Sequence, residues 1–247
     1  MISIDNLGIR YQNGKQALSQ ISFQVREGET LGIVGANGAG KSTLLKTLVG
    51  ILLPEEGRIE IDHIQVAKKN LSILREKVGV VFQNPDDQLF MGNVYDDIAF
   101  GLRNRGTEEK IIHQKITDVM EALGIDRLKE QNSSKLSGGE QRLAAIATVM
   151  VMEPRVVLFD EPTSFLDPKT RRKLIGQLSN LPVTKLIATH DLDMALELCD
   201  NVIILKEGRL FDQGNAKKLL SDEALMEKAD LELPFCLQRM EETKPAI

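Results

Sequence analysis

The sequence predicts an α/β fold built on a parallel sheet that is covered on both faces. Three observations support this prediction. Short, continuous apolar runs occur at positions 31–34, 78–82, 156–159 and 186–188. Segments with helical spacing separate these runs, as expected where crossover helices cover a parallel sheet. A glycine-rich turn joins the first run to an amphipathic helix, which predicts a strand–turn–helix unit that binds a ligand at the turn.

Composition limits the function classes. The 247 residues are 42% hydrophobic and carry a net charge of −5, with no face rich in Lys and Arg, so we expect no nucleic-acid partner. The first residues lack the basic and apolar regions of a signal peptide, and no apolar run is long enough to span a membrane. Cys199 and Cys236 match no metal or redox spacing, which favours reduced thiols in a cytosolic protein.

The region before the glycine-rich turn has the alternation of β-strands. Apolar residues alternate with polar ones at Ile2 and Ile4, and again from Ile21 to Val25. The pattern returns at 58–61, after the first helix. We therefore expect an N-terminal β subdomain beside the α/β core.

Between residues 85 and 154 the pattern becomes helical. Apolar residues recur with helical spacing from Ile111 to Leu123, with Thr107 as a possible cap and Gly124 as the end of the helix. The runs at 202–205 and 209–211 predict a hairpin. We predict one domain in three parts: an α/β core with its β subdomain at 1–84 and 155–214, a helical subdomain at 85–154, and a short helical tail at 215–247.

The glycine-rich turn matches a phosphate-binding P-loop. Its backbone N–H groups can surround an anion, the helix N-terminus adds partial positive charge, and a lysine adds a full one. The serine after the lysine supplies a hydroxyl for Mg²⁺. The segment, hereafter the phosphate loop, comprises Gly35, Ala36, Asn37, Gly38, Ala39, Gly40, Lys41, Ser42 and Thr43. It predicts a nucleoside triphosphate site.

Two adjacent carboxylates follow the run at 156–159. Asp160 lies at the carboxyl end of this strand, where ligands bind in open α/β sheets, and is predicted to hold Mg²⁺. Glu161 points the other way and can accept a proton from an attacking water. On their own, the two acids are equally consistent with solvated groups at a strand end; the phosphate loop favours the catalytic interpretation.

Residues 136–140, hereafter the signature segment, read Leu-Ser-Gly-Gly-Glu. Ser137 and Glu140 have the spacing of a capping box that opens a helix over 141–152. A cap does not require Gly138 and Gly139, which lower helix stability but allow another molecule to approach bare backbone. The chain thus has two helix starts suited to phosphate, which is difficult to explain within one subunit.

The order of these motifs resembles the ATPase subunit of ATP-binding cassette (ABC) transporters. The signature segment lies between the phosphate loop and Val-Val-Leu-Phe-Asp-Glu-Pro-Thr-Ser at 156–164, and the resemblance covers nearly the whole chain. It implies a RecA-like P-loop NTPase core with an N-terminal antiparallel β subdomain and an inserted α-helical subdomain. It also implies a head-to-tail dimer in which the signature segment of one subunit faces the phosphate loop of the other across ATP.

Further roles are implied by the resemblance. Tyr11 resembles the aromatic residue that stacks on adenine, although it could be an ordinary strand residue. Gln83 resembles the glutamine that reaches Mg²⁺ and links the site to the helical insertion. His190 resembles the histidine that contacts the γ-phosphate. Asp167 resembles the aspartate of the loop between subunits and also suits a helix N-cap before Pro168. Phe165 in that loop is bulkier than the small residue often found there.

A narrower resemblance follows Gln83. Residues 84–90 and 94–101, Asn-Pro-Asp-Asp-Gln-Leu-Phe and Val-Tyr-Asp-Asp-Ile-Ala-Phe-Gly, resemble ATPases of energy-coupling factor (ECF) importers, which take up vitamins or cobalt and nickel ions. The resemblance implies a peripheral protein at the cytoplasmic face of the membrane. Integral membrane subunits would dock near residues 84–100, and a homodimer or a heterodimer with a related ATPase would form. The alternative for this loop is an acidic turn with its own cap.

The expected mechanism combines these residues. The phosphate loop binds ATP, and Mg²⁺ is held by Ser42, Gln83 and Asp160. Catalysis is carried out by Glu161 and His190. A second subunit completes the site with its Ser137, Gly138 and Gly139. Three alternatives stay open: an ATPase of another ABC transporter class, a soluble ABC protein that acts on ribosomes or DNA, and an inactive scaffold. The single cassette and acidic charge disfavour the second, and the complete motif set disfavours the third.

Overall fold

The computed structural model describes residues 1–238, which form two β-sheets with helices packed around them. The first sheet is antiparallel and has the strand order β2-β1-β4-β5. Its strands are β1 (Ile2–Arg10), β2 (Gln16–Val25), β4 (Glu56–Ile61) and β5 (Ile64–Gln65). In register, Ile4 faces Phe23 on one side and Ile59 on the other, so the predicted alternation produces one buried apolar face.

The second sheet has six strands in the order β10-β9-β3-β8-β7-β6. All pairs are parallel except β9 with β10, the predicted hairpin. The strands are β3 (Thr30–Val34), β6 (Val78–Val81), β7 (Val156–Asp160), β8 (Thr184–Thr189), β9 (Asn201–Lys206) and β10 (Arg209–Asn215). Because β3, β7 and β8 are parallel neighbours, their carboxyl ends bring the phosphate loop, Asp160 and His190 to one edge.

Helices connect and cover these strands. Two lie between β3 and β6: α1 (Lys41–Leu48) and α2 (Leu71–Lys77). Between β6 and β7 come α3 (Val94–Asn104), α4 (Glu109–Leu123) and α5 (Gly138–Met150), whose buried residues form one apolar cluster with Phe159 and Ile187 of the sheet. The remaining helices are α6 (Pro168–Ser179), α7 (Leu192–Leu198), α8 (Ala216–Leu220) and α9 (Glu223–Lys228). The α/β fold class is confirmed, with its antiparallel N-terminal sheet and its helices between β6 and β7.

Some predicted boundaries were wrong. The strand expected over 78–82 ends at Val81, and Phe82 is half-exposed. Helix α5 begins at Gly138 rather than 141 and ends at Met150 rather than 152, because the capping box places both glycines in the first turn. Thr107 does not cap α4, whose N-cap is Glu108 without a side-chain bond. Gly124 ends that helix in a left-handed conformation, as predicted.

The division into three parts stays a prediction. The part of the predicted tail within the described residues contains α8, α9 and a short turn at 235–237, and the remainder, 239–247, lies outside the described residues. Among residues 1–238, no helix combines the length and apolar character that crossing a bilayer requires.

Candidate functional site

The phosphate loop connects β3 to α1 in a conformation suited to an anion. Gly40 is the N-cap of α1 at φ 109°, a left-handed conformation that favours glycine, and no side chain caps the helix. A Cβ at this position would approach Cδ2 of Leu18 to 2.7 Å. The first N–H groups of α1 are therefore left for a ligand at the positive end of the helix dipole.

Lys41 supplies a desolvated positive charge at this site. Its side chain is buried, and Nζ donates to the carbonyl oxygens of Gly35 at 2.7 Å and Ala36 at 3.2 Å. Burial lowers the pKa of Lys41, and the carboxylates of Glu161 and Asp160 partly oppose this shift. An anion held by the loop would further stabilise the charged form of Lys41 and so oppose the effect of burial on its pKa.

Asp160 and Ser42 meet across the sheet edge. Ser42 Oγ donates to Asp160 Oδ1 at 3.3 Å. Burial raises the pKa of Asp160, and the bond from Ser42 acts in the opposite direction. A hydroxyl and a carboxylate are oxygen donors that suit a hard cation such as Mg²⁺, and the amide of Gln83 lines the same cavity of 490 Å³.

These donors fit a Mg²⁺ ion that shares its coordination with phosphate and water. Within residues 1–238, no group of three or more His, Cys, Asp or Glu side chains is arranged to enclose a metal by itself. Mg²⁺ typically uses one or two protein carboxylates and completes its octahedron with substrate phosphates and waters. The site therefore suits a cation that arrives with a nucleotide.

Glu161 contacts different residues from those that Asp160 contacts. Its backbone has φ 47°, its N–H donates to the carbonyl of Ala188, and its side chain is buried. Oε2 accepts from Thr189 Oγ1 at 3.2 Å and from the His190 backbone N–H at 3.3 Å, and lies 2.8 Å from His190 Nδ1. The His190 ring is largely exposed. The two carboxylates thus have separate partners.

A cavity of 920 Å³ brings most of the predicted site residues together. It is lined by parts of the phosphate loop together with Gln83, Glu161 and His190, and also by Tyr11 and Phe165. The Tyr11 hydroxyl is hydrogen-bonded to Thr43 Oγ1, which connects the residue after β1 to α1. Phe165 is 94% exposed in a left-handed conformation at φ 65°.

The signature segment lies outside this cavity. Gly138 lines the neighbouring cavity of 490 Å³, whereas Ser137 and Gly139 line a separate surface depression with Arg127 and Glu140. Ser137 and Glu140 form the reciprocal capping box that the sequence predicted. Asp167 caps α6, where Oδ1 accepts from the N–H groups of Lys169 and Thr170.

The cavity wall also includes residues that were not predicted from the sequence. The turn between β9 and β10 adds Glu207 and Gly208 to the cavity wall. The Gly208 N–H donates to the Ala39 carbonyl at 3.0 Å, and its carbonyl accepts from the Ser19 N–H at 2.8 Å. A Cβ on Gly208 would collide with the carbonyl of Ala17. The sequence predicts the turn itself, but no local sequence pattern indicates that the turn supports the phosphate loop.

Comparison with known proteins identifies the same family. The family model described as ABC transporter matches residues 18–164. The chain is 40% identical to an energy-coupling factor transporter ATP-binding protein, EcfA3, of Clostridium perfringens, over 95% of this chain and 84% of that protein. It is 38% identical to EcfA of Methanosphaera stadtmanae, over 98% of this chain and 88% of that protein.

Two solved structures share the fold. CbiO1 of Clostridium perfringens, described as part of the ABC transporter complex CbiONQ, has a TM-score of 0.84 at 40% identity, with 94% of this chain and 95% of that chain covered. The ATP-binding cassette MJ0796, solved as a dimer bound to ADP and Pi, has a TM-score of 0.78 at 26% identity, with coverages of 87% and 99%. The chain therefore belongs to the ABC transporter family, as one of its ATP-binding, ATP-hydrolysing subunits.

Proposed function

We propose that this chain powers an ECF-type importer of a metal ion or vitamin through ATP-driven closure of a dimer. The observation that carries the proposal is that the site is divided. The phosphate loop, Asp160, Glu161 and His190 lie at one sheet edge and line two neighbouring cavities. Of the signature segment, Gly138 lines the smaller of these cavities, whereas Ser137 and Gly139 line neither. ATP held by one chain would be completed by the signature segment of a second.

Binding and hydrolysis use different carboxylates. Backbone amides of the phosphate loop and Lys41 hold the phosphates, Tyr11 stacks on the adenine, and Ser42, Gln83 and Asp160 hold Mg²⁺, which neutralises phosphate charge. Glu161 accepts the proton of the attacking water, and His190 orients the γ-phosphate. The contact of 2.8 Å between Glu161 and His190 supports this assignment, because it fixes the proposed base beside the proposed phosphate ligand.

The dimer partner is a second copy or a related ATPase. Ser137, Gly138 and Gly139 bind the phosphates on the partner, and Asp167 and Phe165 lie at the interface. The position of Phe165 supports this location, because its exposed side chain lines the nucleotide cavity, where a second chain that completes the site would approach. The dimeric MJ0796 provides a family precedent for such an assembly.

The membrane partner docks beside Gln83, over residues 84–100, which places the ATPase at the cytoplasmic face of the membrane. Phe90 is 62% exposed and Phe100 is 40% exposed, and their rings meet edge to face at 5.0 Å. Asp86 and Asp87 extend into solvent from the same segment. An aromatic pair next to exposed acids suits a partner helix that is apolar with a basic flank.

Replacement of Glu161 by Gln tests dimer closure. The variant keeps Lys41 and Asp160, so ATP binding is retained, but turnover falls by about 10²-fold or more without the base. ATP should then hold the dimer closed, which gel filtration with Mg²⁺ and ATP detects. Glu121→Gln, on the exposed face of α4, serves as the control for loss of one charge. A Glu161→Gln variant that stays monomeric with bound ATP would contradict closure.

Replacement of Phe90 by Ser tests the importer assignment. We expect a tagged wild-type chain to co-purify from detergent-extracted membranes with integral subunits of an ECF importer. Removing an aromatic anchor of a docking surface costs about 2 kcal/mol or more, so recovery should fall by about tenfold or more while ATP binding is unchanged. Phe235→Ser is the matched control, because Phe235 is 80% exposed but lies in the C-terminal segment. Co-purification of exporter subunits, or equal loss with both variants, would refute the assignment.

A further inference from the structure

Arg142 on α5 is a buried cation without an acidic partner. It is only 2% exposed and is the largest fully buried side chain among the described residues. Nη1 donates to the Phe82 carbonyl at 2.6 Å, and Nη2 donates to the Gln83 carbonyl at 2.7 Å. Nε is buried without a hydrogen-bond partner, and Arg142 forms no ion pair within residues 1–238.

Burial of such a charge is costly. A buried ion loses several kcal/mol of hydration, and apolar side chains of similar volume often serve the packing equally well. Burial also lowers the pKa of Arg142, although a guanidinium stays protonated in proteins. Packing alone therefore does not account for an arginine here. Its distinguishing property is a planar fork that can bond two oxygens at once.

The two carbonyls belong to the segment that carries Gln83. A second side chain attaches this segment to the same helix: Gln88 accepts the Phe82 N–H at 3.3 Å and donates to the Ala145 carbonyl and Thr148 Oγ1, both at 2.7 Å. The backbone at 82–83 is thus bonded to α5 instead of continuing β6. The Gln83 side chain, in contrast, is exposed and lines the cavity with Lys41 and Glu161.

We propose that Arg142 is a positioning residue that holds Gln83 in the nucleotide site from the helix that carries the signature segment. The inference rests on the proposed function, because it takes Gln83 as a ligand of the Mg²⁺ that accompanies ATP. A displacement of α5, when its glycines engage the nucleotide of the partner, would be passed through Arg142 to Gln83 in this chain's own site. The family resemblance already implies that Gln83 links the site to the helices between β6 and β7, and Arg142 is the side chain that we assign to this connection.

A double-mutant cycle with Gln83 tests this role. The readout is the ratio of the ATP dissociation constant in EDTA to that in Mg²⁺, measured by calorimetry on the full chain. Changing a residue that orients a metal ligand typically costs 10–100-fold, so Arg142→Met should lower this ratio by about tenfold. Arg142→Lys should lower it similarly, because one ammonium cannot reproduce the fork. Gln83→Ala should have the same effect, and either double variant should lose no more than about a further twofold.

Leu143→Ala provides the stability control. Leu143 is a buried neighbour on α5 with no side-chain hydrogen bond to residues 82–83, and its truncation should lower the urea midpoint but leave the Mg²⁺ ratio unchanged. Losses that multiply in the double variants, or an unchanged ratio in Arg142→Lys, would overturn the proposal. If Arg142→Met does not fold, the cycle uses Arg142→Lys. A wild-type chain without any Mg²⁺-dependent gain in ATP affinity would instead refute the proposed Mg²⁺ site.

Discussion

Two helices of this chain have glycine at their N-terminus, but they begin differently. At α1, Gly40 is a left-handed N-cap without a capping side chain, and the buried Lys41 lies beside the open N–H groups. At α5, Ser137 and Glu140 close a reciprocal box, with Ser137 Oγ 2.7 Å from Glu140 Oε2. The N-terminus of α1 leaves its backbone N–H groups free to bind a ligand, whereas the capping box of α5 already bonds one of the N–H groups at its N-terminus.

This difference suggests an order of assembly. The α1 start combines free donors and a full positive charge, so it can bind phosphate within one chain. The α5 start has a carboxylate at its cap, and hydrogen bonds from Ser137 hold the pKa of Glu140 below its usual range, with Arg127 adding to the shift. A phosphate must therefore approach α5 beside an ionised group. Nucleotide binding at the phosphate loop should come first, and the signature segment should join only when a second chain brings it there.

The largest effect is expected from Lys41→Ala at the α1 half. Truncation of one partner in a buried charged pair costs about 2–5 kcal/mol, so ATP affinity should fall by about 100-fold in calorimetric titrations of the monomer. Lys69→Ala is the control, since this exposed lysine lies far from the loop in sequence and does not line the cavity. A loss below about fivefold would mean that α1 does not dominate binding.

Smaller effects at the α5 half come from its two glycines. A Cβ at Gly138 would meet only Leu166 Cδ2 at 3.8 Å, which is ordinary contact, whereas a Cβ at Gly139 would run into the side chain of Thr170. Gly138→Ala should therefore preserve the free energy of unfolding, or raise it by up to about 1 kcal/mol, yet weaken ATP-driven dimerisation by about tenfold. Gly139→Ala should lower both.

Urea denaturation and gel filtration in the Glu161→Gln background provide the two measurements. If Gly138→Ala raises the free energy of unfolding but weakens dimerisation, the bare backbone at this position is needed for contact with another molecule. If Gly138→Ala dimerises as well as the parent, the glycine does not serve the interface, and the contrast between the two helix starts loses its functional meaning.

The sequence predicted the features that are encoded locally. The phosphate loop is specified by nine consecutive residues and their flanking patterns, and the roles of Asp160 and Glu161 follow from their position at a strand end. The role of His190, in contrast, was inferred from the resemblance to the family. The helix of the signature segment was predicted to begin three residues too late. A capping box with Ser137 as the N-cap requires the helix to begin at Gly138, and in the fold both glycines lie in its first turn.

The missed features depend on contacts between distant parts of the chain. Strand β6 ends one residue early because Gln88 and Arg142 bind the backbone of Phe82, and only the folded structure brings these side chains to it. The hydrogen bond from Gly208 to Ala39 likewise joins the turn between β9 and β10 to the phosphate loop. Such contacts between distant residues cannot be predicted from local residue spacing, because they depend on burial and tertiary packing.

The central position of β3 has a consequence for folding. Its two neighbours in the sheet, β8 and β9, come more than half the chain later, and so does Gly208, which supports the loop after β3. Pairings between such distant segments form slowly, because closing the long intervening loop costs entropy before the strand contacts compensate for it. During synthesis, the strand before the phosphate loop therefore has no partner on either side until the C-terminal third exists. ATP at a hundred times its dissociation constant adds about 2.7 kcal/mol only to the finished fold, so the nucleotide acts as a late stabiliser of complete chains.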